Sequence, residues 1–226
     1  MKILVYSDNH WCQYSSILRK RGEEYSVRLE NQIKSINWAE GLSKQLHVNM
    51  VVHCGDFFDK ETLNSMELTA LNDLHFNEDI DHYMLVGNHE MGINTLDFSS
   101  MHVFALIPTF SIINESRVLE LDKNVQLCFL PYDLYSSDKN IEDIFPPTDK
   151  KRIIFSHNDI AGIQLGKFVS KSGFSIENIE NNCDLFINGH LHNGERISSK
   201  IFNIGNLTGQ NFSEDAFKYS HCIFCY

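Results

Sequence analysis

The chain has 226 residues, of which 42% are hydrophobic and 22% charged, and its formal net charge is −11. This length suits one large α/β domain better than two small ones, and the apolar content excludes disorder over most of the chain. The acidic balance argues against a free-standing nucleic-acid-binding protein, because contacts to phosphate require a basic face. It leaves a nuclease open, since bound divalent ions would make the site itself locally positive.

The cysteines and the apolar runs indicate in which cellular compartment the protein resides. Most of the six cysteines lie within apolar runs, as in Val-Val-His-Cys54, which is typical of a reduced protein in which cysteine acts as a small hydrophobe. The sequence from Met1 leads directly into a strand without a signal peptide. No apolar stretch reaches the ~20 residues that a membrane helix needs. We therefore expect a cytoplasmic protein without a membrane segment.

Strands and helices alternate in the first part of the chain. The predicted elements are a strand over 2–7, a helix over 24–46, a strand over 50–54, a helix over 62–76 and a strand over 82–86. The strands are short apolar runs, each ending in polar residues. The long helix is predicted because Leu29, Ile36 and Leu42 fall on one face at helical spacing.

The pattern changes in the second part of the chain. Short β-like runs within 109–130, separated by Asn-Glu-Ser and Asp-Lys-Asn turns, predict antiparallel strands. The remaining predictions are a loop at Pro146-Pro147, a strand over 152–156, a helix over 175–181, a strand over 184–188, and β structure around 201–204 and at 219–226. This order predicts a mixed α/β fold of two mixed sheets packed face to face, with helices outside. We expect one domain over residues 1–226.

Polar residues follow five of the predicted strands at the point where each strand ends. They are Asp8 and His10, Asp56, Asn88 and His89, His157, and His190 and His192. Ligand sites in α/β sheets lie at the carboxyl ends of strands, so neighbouring strands would bring these five groups together. Residues i and i+2 of an extended segment point to the same side. Asp8 and His10 could thus share one metal, and His190 and His192 could face one pocket.

The residue types favour a centre of two metal ions. Seven candidate ligands supply carboxylate, amide and imidazole donors: Asp8, His10, Asp56, Asn88, His157, His190 and His192. They are too many for one ion and enough for two, if Asp56 bridges and water or substrate completes the coordination. Mixed imidazole and carboxylate ligation without thiolate favours manganese, with iron, zinc or magnesium as alternatives. Gly55, Gly87 and Gly189 each precede a proposed ligand, where the lack of a Cβ lets the backbone turn and approach the ions.

Each of these motifs alone has a plain structural explanation, because Gly-Asp is common in turns and a single histidine is usually structural. Five such strand ends in one chain are much harder to explain in that way. The other histidines lie within helix or strand runs and are interpreted as structural: His47, His53, His75, His82, His102 and His221. Cys222 and Cys225 lack the second cysteine pair that a structural zinc site needs. Asp59 and Glu90 either orient ligands or serve as turn residues.

Together, the motifs Asp8-x-His10, Gly55-Asp56, Gly87-Asn88-His89, His157 and Gly189-His190-x-His192 resemble the calcineurin-like metallophosphoesterase superfamily, over residues 1 to about 214. The resemblance implies a four-layer sandwich of two mixed sheets flanked by helices. By position it implies one metal site made of Asp8, His10, Asp56 and His192, and another made of Asp56, Asn88, His157 and His190. His89 is then the catalytic residue, which contacts the scissile phosphate and acts as general acid to the leaving oxygen.

Within the superfamily, the chain is most similar to the SbcD-type DNA repair nucleases. The sequence Gly-Asp-Phe-Phe-Asp at 55–59 and the stretch 203–214 resemble the corresponding parts of that family. The resemblance implies a DNA exonuclease or endonuclease, a coiled-coil ATPase partner similar to SbcC, and a homodimer. The chain departs from the family pattern at Trp11-Cys12 after the first histidine and at Glu90, where Asp is usual. We also expect no separate cap domain.

Two other functions stay open from the sequence. A phosphodiesterase or phosphatase acting on a small nucleotide or a phosphoprotein agrees with the acidic charge and the missing cap. Protein Ser/Thr phosphatases carry phosphate-binding arginines, whereas here Lys60 and Glu61 follow Asp59, and Val86 precedes Gly87. A non-catalytic scaffold that binds a partner is disfavoured, because binding alone would not demand seven ligands.

Overall fold

The computed structural model describes residues 1–165, 168–210 and 223–226. Its helices are α1 (Val27–Gln45), α2 (Ser65–Ala70), α3 (Ile141–Ile144) and α4 (Ile176–Asn182), with short 3₁₀ helices at Leu71–Asp73, Ser100–Phe104 and Ser136–Asp138. Its strands are β1 (Ile3–Tyr6), β2 (Met50–His53), β3 (Asp81–Leu85), β4 (Met91–Gly92), β5 (Thr95–Ser99), β6 (Phe110–Ile113), β7 (Arg117–Glu120), β8 (Val125–Leu130), β9 (Lys151–Ser156), β10 (Ile160–Ala161), β11 (Gln164–Leu165), β12 (Phe168–Val169), β13 (Phe174–Ser175), β14 (Leu185–Asn188), β15 (Glu195–Arg196), β16 (Ile201–Asn203) and β17 (Phe224–Cys225).

The first sheet has the strand order β17-β1-β2-β3-β6. β1, β2, β3 and β6 run parallel, and β17 pairs antiparallel with β1 at the edge. Every residue of β1 is buried, as expected for a strand covered on both faces. Leu4 and Tyr6 face one apolar layer, while Ile3 and Val5 face another. The apolar run that predicts this strand is therefore explained by burial on both sides.

The second sheet has the strand order β15-β16-β14-β9-β8-β7. Its four central strands run parallel, and β15 and β7 close its two edges in antiparallel pairing. Phe129, Phe155 and Ile187 of this sheet share an apolar layer with Val5 and Val52 of the first. The two sheets thus pack face to face.

Helices cover the outer face of each sheet. Leu29 and Ile36 of α1 belong to the apolar layer outside the first sheet. Ile141 of α3 and Ile179 of α4 belong to the layer outside the second sheet. Three apolar layers therefore lie between four layers of secondary structure, which confirms the predicted mixed α/β sandwich.

Helix α1 starts at Val27 rather than at residue 24, because Ser26 caps it. The Ser26 side chain accepts a hydrogen bond from the Leu29 N–H at 3.1 Å. The inner face of α1 also buries polar side chains, including Arg28 and Gln32. These two residues lie close to the start of the helix, next to the loop that follows β1.

The predicted antiparallel region over 109–130 is only partly antiparallel. β7 and β8 form the expected antiparallel pair, but β6 pairs parallel with β3, and β8 pairs parallel with β9. The 3₁₀ helix before β6 places Met101 and Phe104 in the outer apolar layer, and this crossover returns the chain parallel to β3. The predicted helix over 62–76 is also shorter, since α2 ends at Ala70 and a 3₁₀ turn follows.

Two sequence predictions reach beyond the described residues. The predicted terminal β structure is described only at 223–226, where β17 forms, while His221 and Cys222 lie outside. The last four positions of the 203–214 stretch also lie outside. Within the described ranges, no helix is both long and apolar enough to cross a membrane.

Candidate metal centre

The carboxyl ends of five strands, three in the first sheet and two in the second, meet at one edge of the sandwich. β1, β2 and β3 lead into the loops of Asp8, Asp56 and Asn88. β9 and β14 lead into the loops of His157 and His190. The structure brings these loops together, as predicted from the strand ends.

One cluster contains Asp8, His10 and His192. The Nε2 atoms of His10 and His192 lie 2.9 Å apart. Asp8 Oδ1 lies 3.9 Å from His10 Nε2 and 4.0 Å from His192 Nε2. Asp8 and His10 are fully buried, whereas the His192 side chain is 21% exposed, so this cluster opens to solvent on the His192 side.

A second cluster contains Asp56, His157 and His190, with Asn88 beside it. His157 Nε2 lies 3.1 Å from Asp56 Oδ2 and 3.3 Å from Asn88 Oδ1. Asp56 Oδ2 is also 3.9 Å from His10 Nε2 in the first cluster. One carboxylate oxygen therefore lies between the two clusters.

The donor set of the first cluster fits a metal ion. Asp8 Oδ1 is buried and makes no hydrogen bond, although a buried carboxylate oxygen normally has a partner. Two imidazole nitrogens at 2.9 Å repel each other through their lone pairs unless a proton or a cation lies between them. A divalent cation would satisfy both arrangements, and imidazole with carboxylate is a common ligand set for such ions.

In Asp8 and Asp56, one carboxylate oxygen accepts hydrogen bonds from the protein, and the second oxygen is left facing the centre. Asp8 Oδ2 accepts hydrogen bonds from the Ser7 hydroxyl and from the His190 N–H at 3.0 Å. Asp56 Oδ1 accepts one from the His89 N–H at 3.0 Å. Asp8 Oδ1 and Asp56 Oδ2 are therefore the oxygens left facing the imidazoles.

Asp56 and His157 are a closely coupled buried pair. Burial favours the neutral form of each, but their proximity outweighs it. Burial raises the pKa of Asp56, while His157, His10 and His89 together hold it below its ordinary range. Burial lowers the pKa of His157, while Asp56 and Asp8 raise it to about 9. Asp56 is therefore an ionised carboxylate at neutral pH, the form that binds a cation.

The loop after β1 is held from behind by α1. Arg28 Nη2 and Gln32 Nε2 donate to the His10 carbonyl at 3.1 and 2.7 Å. Arg28 Nη1 also reaches the Gly209 carbonyl at 2.9 Å. The sequence gives no signal for these supports, because polar residues in a helix with an apolar stripe look like solvent-facing positions.

The backbone of the centre differs from the sequence prediction. Asp8 and His10 were predicted to share a side of an extended segment, yet their φ angles are 52° and 48°. Asp56 and His190 are also left-handed, at 53° and 68°. Their side chains still converge, but through tight left-handed turns. Such residues cost about 1–3 kcal/mol each and cluster at functional sites.

Two glycines are required by close approach rather than by a turn. A Cβ at Gly87 would lie 2.1 Å from Asp56 Oδ1, and one at Gly189 would lie 2.1 Å from Ser7 Oγ. Both contacts are shorter than any real carbon–oxygen contact. The glycines therefore let backbone segments pack directly against the side chains of Asp56 and Ser7, whereas the sequence prediction concerned turns and an approach to the ions.

His89 lies at the rim of the centre. Its side chain is 42% exposed, and its Nδ1 lies 3.1 Å from the Asp59 carbonyl oxygen. The His89 ring stands edge-on to the His10 ring, with the centroids 4.7 Å apart. A carbonyl oxygen only accepts, so Nδ1 carries the proton here.

Asp59 and Glu90 differ in their contacts. Asp59 Oδ1 lies 3.2 Å from His10 Nδ1, so its negative charge lies next to the nitrogen of a candidate ligand that faces away from the first cluster. Glu90 is fully buried and instead joins two loops, accepting from the N–H groups of Phe58 at 2.9 Å and Gly87 at 2.7 Å. Burial raises the pKa of Glu90 to about 8.

Among the other histidines, His82 pairs with buried Glu40 at 3.1 Å, and His53 Nε2 lies 3.3 Å from Asn9 Oδ1. Both are buried residues, His82 in β3 and His53 in β2, in line with their structural interpretation.

Asp159 and Tyr132, which the sequence did not single out, lie beside His190.

Residues 1–194 match the family model of the calcineurin-like phosphoesterases. No curated protein sequence matches the chain significantly. The solved structures that resemble it include a dimetal phosphatase from Danio rerio, at 13% identity and a TM-score of 0.51, covering 91% of this chain and 87% of that one. They also include a candidate 5′-nucleotidase from Staphylococcus aureus in complex with alpha-ketoglutarate, at 14% identity and a TM-score of 0.55.

That second alignment covers 91% of this chain and 48% of the Staphylococcus aureus chain, so this chain spans about half the length of that protein. At these identities the likeness concerns the fold alone. It agrees with the four-layer arrangement of the two sheets.

Proposed function

The chain belongs to the calcineurin-like phosphoesterase family of metal-dependent hydrolases, and from that premise we propose that it cleaves phosphodiester bonds of DNA at a centre of two divalent ions. The observation that carries this proposal is the position of Asp56 Oδ2, 3.9 Å from His10 Nε2 and 3.1 Å from His157 Nε2. An oxygen between two donor clusters is suited to bridge two cations. Manganese is the proposed metal, with iron, zinc and magnesium as alternatives.

The proposed ligands divide between the clusters as the family resemblance implies. Asp8, His10, Asp56 and His192 would hold one ion, and Asp56, Asn88, His157 and His190 would hold the other. When bound, such ions polarise the phosphate, lower the pKa of a water molecule and stabilise the attacking and leaving oxygens. The protein residues orient these donors and keep them in place before substrate arrives.

His89 is the proposed general acid. Its side chain is exposed at the rim, and the Asp59 carbonyl accepts its Nδ1 proton, which leaves Nε2 as the nitrogen that would contact substrate. A protonated Nε2 would donate to the oxygen that leaves from phosphorus. His89 also touches the His10 ring, which places it next to the first cluster.

DNA as the substrate is supported by the sequence of residues 55–59 and by the stretch 203–214, both of which resemble the SbcD-type nucleases. The coiled-coil ATPase partner and the homodimer belong to the same proposal. A basic partner would also supply the phosphate contacts that a chain of net charge −11 lacks.

A specific groove favours the second candidate, a phosphodiesterase or phosphatase acting on a small nucleotide. The groove has a volume of about 330 Å³, and its lining includes Tyr132 and Tyr135, the latter 66% exposed. The Tyr132 ring lies 5.7 Å from the His190 ring, so one lining residue of the groove contacts a proposed metal ligand. Its walls also carry Asp97 and Glu115, which would repel a continuing polyanion, whereas the tyrosine rings would stack on a nucleobase.

One experiment separates the two candidates and tests the activity itself. Manganese-loaded protein is incubated with single- and double-stranded DNA, bis-p-nitrophenyl phosphate and cyclic nucleotides, with Asp56→Asn protein as the inactive control. Cleavage of DNA by the unmodified protein, but not by the Asp56→Asn protein, supports the nuclease. Hydrolysis of the small esters with intact DNA selects the small-nucleotide enzyme, and no hydrolysis of any substrate overturns the proposed function.

A further inference from the structure

Asp159 is an acidic residue beside the second cluster that the proposed chemistry does not use. It lies two residues after His157, and its Oδ1 is 3.3 Å from His190 Nε2. The side chains of Asp159 and His190 are 26% and 17% exposed, so the contact is partly shielded from water. A carboxylate oxygen this close to an imidazole nitrogen, in a partly shielded place, favours a proton on that nitrogen.

Hydrogen bonds hold the backbone of both Asp159 and His190 in place. The Asp159 carbonyl accepts from the Phe174 N–H at 3.2 Å. Just before it, Asn158 exchanges two hydrogen bonds with Asn188 at the end of β14, at 3.1 and 2.9 Å. The His190 N–H is held by Asp8 Oδ2 at 3.0 Å. The carboxylate and the imidazole are therefore positioned by the ends of β9 and β14 and not by a mobile surface loop.

We propose that Asp159 is a positioning residue for His190, an inference that rests on the proposed two-metal function. A neutral imidazole carries its proton on one nitrogen and a lone pair on the other. By accepting the N–H of Nε2, Asp159 fixes the proton there and leaves the lone pair on Nδ1. Nδ1 is then the nitrogen that His190 offers to a cation shared with Asp56 and His157.

His157 and His10, the buried imidazoles of the two clusters, present the other nitrogen. The Nδ1 of His157 donates to the Cys54 carbonyl at 2.6 Å, and the Nδ1 of His10 lies 3.2 Å from Asp59 Oδ1. Nε2 of each ring lies at the centre, 3.1 Å from Asp56 Oδ2 for His157 and 2.9 Å from His192 Nε2 for His10. Asp59 stands behind the first cluster and Asp159 behind the second, so each cluster has its own outer carboxylate. Losing one carboxylate should weaken one metal site and spare the other.

The test is a calorimetric titration of Mn²⁺ into metal-depleted protein. We expect unmodified protein to bind two ions, and Asp159→Asn to weaken one of the two binding steps about 10- to 100-fold while the other is unchanged. Asn keeps the size of the side chain but replaces one carboxylate oxygen with a donor. Asp159→Glu, which restores a carboxylate, should recover part of the lost affinity.

Two further variants give the controls. Asp59→Asn should weaken the other binding step, because it removes the carboxylate behind His10. Asp73→Asn should leave both steps unchanged, since the partly buried Asp73 carboxylate contacts Tyr25 at 2.7 Å and no proposed ligand. Thermal unfolding of each variant checks that the fold is retained.

The outcomes separate this inference from the proposed function. If unmodified protein binds two ions and hydrolyses phosphodiesters, but Asp159→Asn binds both as before, Asp159 has no positioning role. Tighter binding by Asp159→Asn also overturns the inference, because the carboxylate would then compete with the cation for His190. Failure of the unmodified protein to bind Mn²⁺, Fe²⁺, Zn²⁺ or Mg²⁺ in the same titration removes the proposed function and this inference together.

Discussion

At the scale of single residues, contacts with the protein decide which nitrogen an imidazole presents. His157 Nδ1 donates to a backbone carbonyl, and an oxygen of the Asp59 carboxylate lies 3.2 Å from His10 Nδ1. Nε2 is thus the nitrogen of each ring that lies towards the centre before any cation binds, next to Asp56 for His157 and next to His192 for His10. Fixing the rings in advance removes an entropic cost from metal binding, which otherwise falls on the binding step.

Replacing His89 tests its role as general acid. His89→Ala should lower kcat for a dinucleotide by about 10²- to 10⁴-fold, because the leaving alkoxide then departs without a proton. The loss should be much smaller for p-nitrophenyl esters, whose leaving group needs no proton. Steady-state kinetics on both substrates measure the difference. Metal content should be unchanged, and an equal loss on both substrates would contradict the assignment.

Buried His53 predicts how stability depends on pH. Burial lowers the pKa of His53 to about 3, from an ordinary value near 6.5. Between these values the unfolded chain binds a proton that the folded chain does not, so stability rises with pH across this window and is complete above it. At pH 5 the penalty from His53 is roughly 2 kcal/mol.

His53→Gln removes this titration while keeping a hydrogen-bond donor for Asn9. Urea unfolding at pH 8 and pH 5 should show a loss of stability on acidification that is roughly 2 kcal/mol smaller in the variant than in the unmodified protein. The same loss in both proteins would show that His53 does not remain neutral in the fold.

At the scale of elements, α1 links the core to the metal centre. Its Arg28 and Gln32 side chains hold the His10 carbonyl, while its Leu29 and Ile36 pack on the first sheet. The left-handed turn at His10 is thus kept in place by a helix that is itself anchored in the core. A strained loop persists only when surrounding structure fixes it in this way.

The N-cap of α1 gives a prediction for this element. Ser26→Ala should lower the free energy of unfolding by about 1 kcal/mol, because the Leu29 N–H loses its acceptor. Ser35→Ala, in the middle of the same helix, is the matched control and should be neutral or slightly stabilising, since Ala has the higher helix propensity. Denaturant unfolding measures both changes. Equal effects of the two variants would mean that the cap does not stabilise α1.

At the scale of the whole molecule, the proposed metal centre connects the two sheets. Asp8 and Asp56 follow strands of the first sheet, and His157 and His192 follow strands of the second. Ions held between them would tie together the ends of both sheets, in addition to the apolar layer that already joins them. Metal binding should therefore stabilise the fold as a whole.

Thermal unfolding with and without metal tests this coupling. An ion at 100 times its dissociation constant adds about 2.7 kcal/mol per site, so saturating Mn²⁺ should raise Tm by at least about 5 °C over protein kept in a chelator. Asp8→Asn should reduce this increase, because Asp8 Oδ1 faces the first cluster. An identical increase in Asp8→Asn would show that the ions stabilise the protein elsewhere.

Much of this molecule could be predicted from local patterns. Short apolar runs predicted the central strands, because a strand buried on both faces must be apolar throughout. Asp, Asn and His at the strand ends predicted the set of donors, since parallel strands end at one edge of a sheet. Their residue types also predicted metal chemistry, because ligand preference is a property of each side chain.

The tertiary structure decided what depends on residues far apart in the chain. The parallel pairing of β6, the supports from Arg28 and Gln32, the left-handed backbone of Asp8 and His10, and the contact of Asp159 with His190 have no local signature. Each of these features exists only because packing brings distant segments within hydrogen-bonding distance. Sequence alone determines which groups are present, and the packed sheets determine which atom of each group faces the centre.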